Sequence, residues 1–258
     1  MGAEAGAPFP IFLYHRIDPG RRTDDPFALA EDTFRHQMTL LARSGRRTHT
    51  ISELVVRRTE PGPPLAAVTF DDGTADFHER AWPILRDLGL AVTLYVTTGL
   101  VGERSGPHPM LTWEQLAELD AAGVEVAAHG HHHVQLDAIP LARATVECVN
   151  SKLLLEGHLD HPVTSFAYPF GYHSEALKRI LPRAGYASAC AVKNRLSHPR
   201  DDPFALARLT ITRKTSTRQF ERLMSGHGAA RAREGERVRT RAWRAYRRGR
   251  TRIAGRER

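Results

Sequence analysis

Seven short apolar runs recur along the chain: "IFLYH" (11–15), "AAVTF" (66–70), "AVTLYV" (91–96), "VEVAA" (124–128), "SFAY" (165–168), "ASACAV" (187–192) and "ARLTI" (207–211). Several are continuous rather than alternating, the pattern of strands buried on both faces of a parallel sheet. Helical patterns lie between them at 33–45, 75–89, 112–123, 140–160, 174–184 and 216–225; the third opens on a cap-like Thr112 and stops at Gly123. Seven strands alternating with about six helices predict an α/β fold of βα repeats, either an open sheet or a barrel. Both architectures place ligands at the C-terminal ends of the strands. The chain shows no internal sequence repeat.

Charge separates the chain into two parts. Overall there are 37 Lys and Arg against 29 Asp and Glu. Residues 229–258 alone hold 12 Arg and three Glu, which leaves 25 basic and 26 acidic residues over 1–228. The body is therefore nearly neutral, and the composition shift near Gly226 and Gly228 predicts a boundary between a domain at 1–228 and an Arg-rich extension at 229–258. An Arg-rich run ordinarily reads as a solvated segment. As a basic amphipathic helix carrying Val238, Ala242, Trp243 and Tyr246, it would dock electrostatically on an anionic surface or polymer. Two cysteines, Cys148 and Cys190, lack CxxC spacing and fit small core residues in a reduced compartment. No run approaches 18 apolar residues and the first residues lack a basic n-region, so a cytoplasmic location is expected.

Titratable residues collect at the expected strand ends. "LYHRI" leaves His15, "TFDDG" leaves Asp71 and Asp72, "AAHGHHH" leaves His129 and His133, and "FAYPFGYH" leaves Tyr168 and Phe170. His129 and His133 are four apart, so one helical turn would aim both imidazoles at one ion. A histidine pair of this kind also arises by chance on surfaces, and "DDG" taken alone reads as a turn. Two adjacent carboxylates ending a buried apolar run are harder to set aside, because unpartnered burial of charge is costly. An Asp added to the two histidines makes a three-ligand metal site with positions open for water and substrate.

"TFDDG" (69–73), "HGHHH" (129–133) and "FAYPFG" (166–171), in this order, resemble the NodB-homology polysaccharide deacetylases, carbohydrate esterase family four. The resemblance covers roughly residues 9–212 within the 1–228 domain. It implies a distorted (β/α) barrel of about seven strands. It also implies a metal, usually zinc or otherwise another divalent transition metal, held by Asp72, His129 and His133, with Asp71 as general base. His131 and His132 fall at spacer positions. Three departures stand out. Gly130 replaces a usual Ser or Thr, and Ala167 stands where many members carry an Arg that orients the base. The L-x-H motif is missing from "LTITRKTS" (209–216). Leu13-Tyr14-His15 at the other end of the chain supplies that pattern instead, as in the circularly permuted subgroup similar to poly-N-acetylglucosamine deacetylases, and makes His15 the candidate general acid; a structural histidine closing a strand is the other reading.

The implied reaction removes N-acetyl groups from an amino sugar or polysaccharide, with Asp71 and His15 handling protons and a backbone N–H near Phe170 facing the oxyanion. Tyr168, Phe170 and Tyr172 are candidate aromatic contacts for sugar faces, whereas Trp113 fits core packing. A metal-dependent amidohydrolase acting on a non-carbohydrate linear amide is the alternative. A non-catalytic carbohydrate-binding relative is the third reading, opposed by the presence of Asp71, Asp72, His129 and His133 together.

Overall fold

Continuous apolar strands demand cover on both faces, and the chain provides it by closing its sheet on itself. The computed structural model describes residues 6–20 and 24–228. Its principal strands are β1 (Ile11–Tyr14), β2 (Leu65–Phe70), β3 (Val92–Val96), β4 (Glu125–Ala128), β5 (Ser165–Ala167), β6 (Ser188–Val192) and β7 (Leu206–Thr210). Each pairs in parallel with the next in sequence, and β7 pairs with β1 through Phe12↔Leu209 and Leu13↔Thr210, completing a seven-stranded barrel. The expected barrel of about seven strands is what forms. Its thinnest junction is β4–β5, with the single registered pair Phe166↔Ala128.

The pleat divides each strand between two cores. Ile11, Ala67, Tyr95, Ala127, Ala167, Cys190 and Leu206, one from each strand, fill the interior. Their neighbours, including Phe12, Tyr14, Val68, Phe70, Leu94, Phe166 and Tyr168, pack outward against the surrounding helices. Burial of side chains of this size stabilises by about 1.5–3 kcal/mol each, and both layers draw on it.

The helices are α1 (Glu31–Arg43), α2 (Ile51–Arg57), α3 (Trp82–Asp87), α4 (Trp113–Ala121), α5 (Leu141–Leu159), α6 (Glu175–Arg183) and α7 (Thr217–Met224). Six match the sequence patterns within a few residues. The 75–89 pattern is interrupted by a wide π turn at Phe77–Ala81 ahead of Pro83, a residue with no N–H to continue the α-helical ladder. Helix α2 was not expected. A Thr50/Glu53 capping box starts it, and its Ile51 N–H donates to Glu125 Oε2 at 2.8 Å and to Thr93 Oγ1 at 2.9 Å. Ile51 and Leu54 thereby close the N-terminal end of the barrel. Cys148 and Cys190 are free and buried, as anticipated. Among the described residues no helix is long and apolar enough to cross a membrane. The Arg-rich segment 229–258 lies outside the described residues.

Candidate active site

The inward series that fills the barrel continues past the strand ends and delivers the polar groups. Positions 11 and 13 lead to His15, 67 and 69 to Asp71, 125 and 127 to His129, and 206 to Arg208. Strands β1 and β2 run side by side with Tyr14 opposite Phe70, and the Asp71 N–H donates to the Tyr14 carbonyl at 3.0 Å. His15 and the two aspartates are therefore neighbours.

Asp71 is 3% exposed and meets Arg208, which is 0% exposed, in a two-pronged pair: Nη1 to Oδ1 at 2.6 Å and Nη2 to Oδ2 at 2.7 Å. Burial pushes the carboxyl pKa up, but the Arg208 charge, the His129 ring and the paired hydrogen bonds outweigh it, so the group stays below the usual carboxylate range. Arg208 also donates to Thr69 Oγ1 and lies 5.4 Å from the centre of the Tyr95 ring. This guanidinium was not among the expected site residues. It provides, from β7, the positive partner that the residue at Ala167 does not.

Asp72 turns the opposite way because its backbone is left-handed, with φ 78°, followed by Gly73 at φ 83°. A non-glycine residue there is strained by about 1 kcal/mol or more, and the turn directs the carboxylate toward the histidines. Asp72 Oδ1 is 3.3 Å from His133 Nε2 and 3.7 Å from His129 Nε2, and it is buried without a hydrogen-bond partner. His129 donates from Nδ1 to the Ala167 carbonyl at 2.8 Å, which leaves the Nε2 lone pair facing Asp72. Burial lowers the His129 pKa to about 4, against the pull of Asp71, so its ring is neutral near pH 7. One donor atom from each of Asp72, His129 and His133 lies within 4.8 Å of the others. An orphaned carboxylate oxygen and two imidazole nitrogens converging on one point fit a divalent transition metal.

The H-x-x-x-H segment is not helical, contrary to the expectation of a helical turn. The chain loops through Gly130 at φ 76° and His133 at φ 53°, and the loop is held by its spacers. His131 Nδ1 contacts Thr98 Oγ1 at 2.9 Å, and its carbonyl accepts the Gly99 N–H at 2.8 Å. A Cβ at residue 99 would stand 2.6 Å from that carbonyl oxygen, so glycine is required there. Glu147 of α5, only 4% exposed, accepts the N–H groups of His131 at 3.1 Å and His132 at 2.8 Å, and pairs with His132 Nδ1 at 2.8 Å. His131 and His132 thus face away from the Asp72 cluster, in keeping with their spacer positions.

His15 Nδ1 is buried and has no hydrogen-bond partner. Burial lowers the ring's pKa, while the Asp72 and Asp71 carboxylates pull it back up. The Phe27 ring lies 4.6 Å away. Phe170, at φ 60°, is half exposed and sets its ring 4.7 Å from that of His133. Tyr168 corrects an expectation: its outward parity buries it completely, and its hydroxyl donates to the Phe204 carbonyl at 3.0 Å. Its backbone N–H is bonded to the Cys190 carbonyl, so it presents neither a ring nor an amide to a ligand. Trp113 stacks on His158 at 3.9 Å and packs against the outer core.

A family model described as polysaccharide deacetylase matches residues 58–189. The Bacillus subtilis (strain 168) protein YxkH is 26% identical over 212 residues, spanning 81% of this chain and 73% of the relative. The poly-β-1,6-N-acetyl-D-glucosamine N-deacetylase of Staphylococcus aureus (strain MRSA252) is 21% identical over 198 residues, spanning 72% and 68%. Among solved structures, the Streptococcus pyogenes deacetylase PplD, solved in complex with acetate, superposes with a TM-score of 0.77 at 23% identity, covering 85% of this chain and 99% of that one.

Proposed function

The chain belongs to the polysaccharide deacetylase family and is a carbohydrate N-deacetylase, and we propose that it hydrolyses the acetamide of an N-acetylated amino sugar or polysaccharide at a metal held by Asp72, His129 and His133. The observation that carries this reading is the Asp71–Asp72 turn, which sets a charge-paired carboxylate beside a three-donor cluster. A divalent metal, zinc first among the candidates, would supply a Lewis acid that makes water nucleophilic near neutral pH and polarises the amide carbonyl. Asp71, kept ionised by Arg208, takes the proton of the attacking water. The Phe170 amide faces the developing oxyanion, and its ring walls the substrate side of His133. His15 gives a proton to the departing nitrogen, so that amide and water leave as acetate and a free amine. The polymer named for the Staphylococcus relative makes N-acetylglucosamine oligomers the first substrate to try. The Arg-rich segment 229–258 is proposed as an electrostatic dock for an anionic surface or polymer.

The test is acetate release from N-acetylglucosamine oligomers against simple linear amides, with metal stripped and restored. Oligomer turnover that disappears with a chelator and returns with zinc supports the proposal. Preference for the linear amides would favour the non-carbohydrate amidohydrolase instead.

A further inference from the structure

Most large apolar side chains exposed among the described residues are aliphatic and lie on α2 and α5; two are aromatic, Phe27 at 37% and Phe170 at 50%, and both stand against site histidines. Each rests on a different histidine of the site. Phe170 lies over His133, whose Nε2 is 3.3 Å from Asp72, and Phe27 lies over His15 on the β1 side. Phe27 is also held firmly. Its N–H donates to Asp25 Oδ1 at 2.9 Å and its carbonyl accepts the Arg16 N–H at 3.4 Å. Arg16 in turn is paired with Asp25 at 2.5 Å and reaches to 3.5 Å from Asp72 Oδ2. An ion-paired clamp thus holds the backbone of Phe27, whose partly exposed ring lies 4.6 Å from that of the proton donor proposed above.

A pyranose offers an apolar C–H face between polar edges, and a fixed aromatic ring complements that face. The sugar ring that carries the departing nitrogen must lie beside the group that protonates it. We infer that Phe27 is a further substrate-binding residue, stacking on the apolar face of the amino-sugar ring whose acetamide is cleaved. This rests on the deacetylase reading and adds to it a specificity for ring-borne acetamides.

The experiment compares the metal-loaded full chain with Phe27→Ala, Phe27→Leu and Phe27→Tyr on an N-acetylglucosamine oligomer and on trifluoroethyl acetate, an activated acetate with no ring. The Ala and Leu variants should lose about 3- to 10-fold in kcat/KM on the oligomer, with the ester nearly unaffected and metal content unchanged, while Tyr retains wild-type behaviour. Equal losses on both substrates would show that Phe27 merely covers His15, and wild-type oligomer kinetics in Phe27→Ala would show that no sugar ring touches it; either result overturns the inference. A wild-type chain that releases no acetate from the oligomer defeats the deacetylase reading itself, a separate result because no variant is needed to see it.

Discussion

Replacing Arg208 with Met keeps most of the side chain's length and removes its charge from the centre of the barrel. Arg208 is fully buried and its partner Asp71 nearly so, with both carboxylate oxygens bonded at 2.6 and 2.7 Å. Stranding one member of such a pair costs about 3–5 kcal/mol, which for a domain of this size corresponds to a fall in Tm of roughly 6–20 °C. The loss should depend on pH. In the wild type the Asp71 pKa is depressed, so its contribution to stability is present above the unfolded value of 3.8 and is lost only as pH falls through the lower folded value. Without Arg208 the dominant remaining influence is burial, which raises the pKa above 3.8. Stability is then lost as pH rises through the new folded value. Arg208→Met should therefore be more damaging at pH 8 than at pH 5, and the acid limb of its kcat/KM profile should move toward neutrality, since Asp71 must be ionised to accept a proton. Arg208→Lys, which keeps the charge but not the fork, should hold the acid limb near its wild-type position with reduced kcat. Thermal unfolding across pH 5–8 and pH–rate profiles read both effects. An Arg208→Met chain with a wild-type acid limb and a pH-independent Tm deficit would refute the argument that Arg208 keeps the base ionised.

Asp72→Ala, His129→Ala and His133→Ala should each abolish stoichiometric metal and activity, whereas Asp71→Asn should keep the metal and lose most turnover; elemental analysis beside acetate release decides this. His15→Ala should cut acetamide turnover by about 10²- to 10⁴-fold while sparing an activated ester, and equal losses would make His15 a structural residue. Glu147→Gln leaves too few acceptors for the three donors it now meets, and should weaken zinc affinity measured by calorimetry about 10- to 100-fold; unchanged affinity would mean the His133 loop holds itself. Deleting 229–258 should leave turnover on a short neutral oligomer intact and remove any binding to anionic polymer that weakens with added salt, exposed charges being screened beyond about 10 Å at 0.1 M.

The barrel strands were legible because each is an apolar run bounded by breakers; His15, Asp71, Asp72 and His129 were legible because they follow directly on those runs, and His133 because it stands four residues after His129. Helix α2 was missed for its brevity, although Thr50 and Glu53 spell out its cap. Tyr168 was misjudged by counting proximity to a strand end without counting parity: with Ala167 inside the barrel, residues 166 and 168 must face the helices. Arg208 carried a signal that went unused, since a single charge within an apolar strand requires a buried partner, and Asp71 is that partner. Glu147 carried another, being the one carboxylate on the buried stripe Ala144, Cys148, Ser151 and Leu155 of α5. The left-handed turns at Asp72 and Gly130 had a local signature in the DDG run and in the glycine itself, whereas the one at His133 had none.

The β4–β5 junction joins its two strands by one registered residue pair, and across it the His129 imidazole donates to the Ala167 carbonyl. A side chain there serves as a rivet in a seam that the backbone ladder barely closes. Any breathing that parts these strands also swings a candidate metal ligand off its aim, so ligand geometry and barrel closure form one cooperative unit. A bound ion would grip Asp72 beyond β2 and His129 beyond β4, and by fixing the His129 ring it would hold the link from that ring to Ala167 of β5. Amide exchange near residues 128 and 166–167 should then slow on adding zinc by more than exchange in the well-laddered β1–β2 pair, making the seam an internal reporter of occupancy.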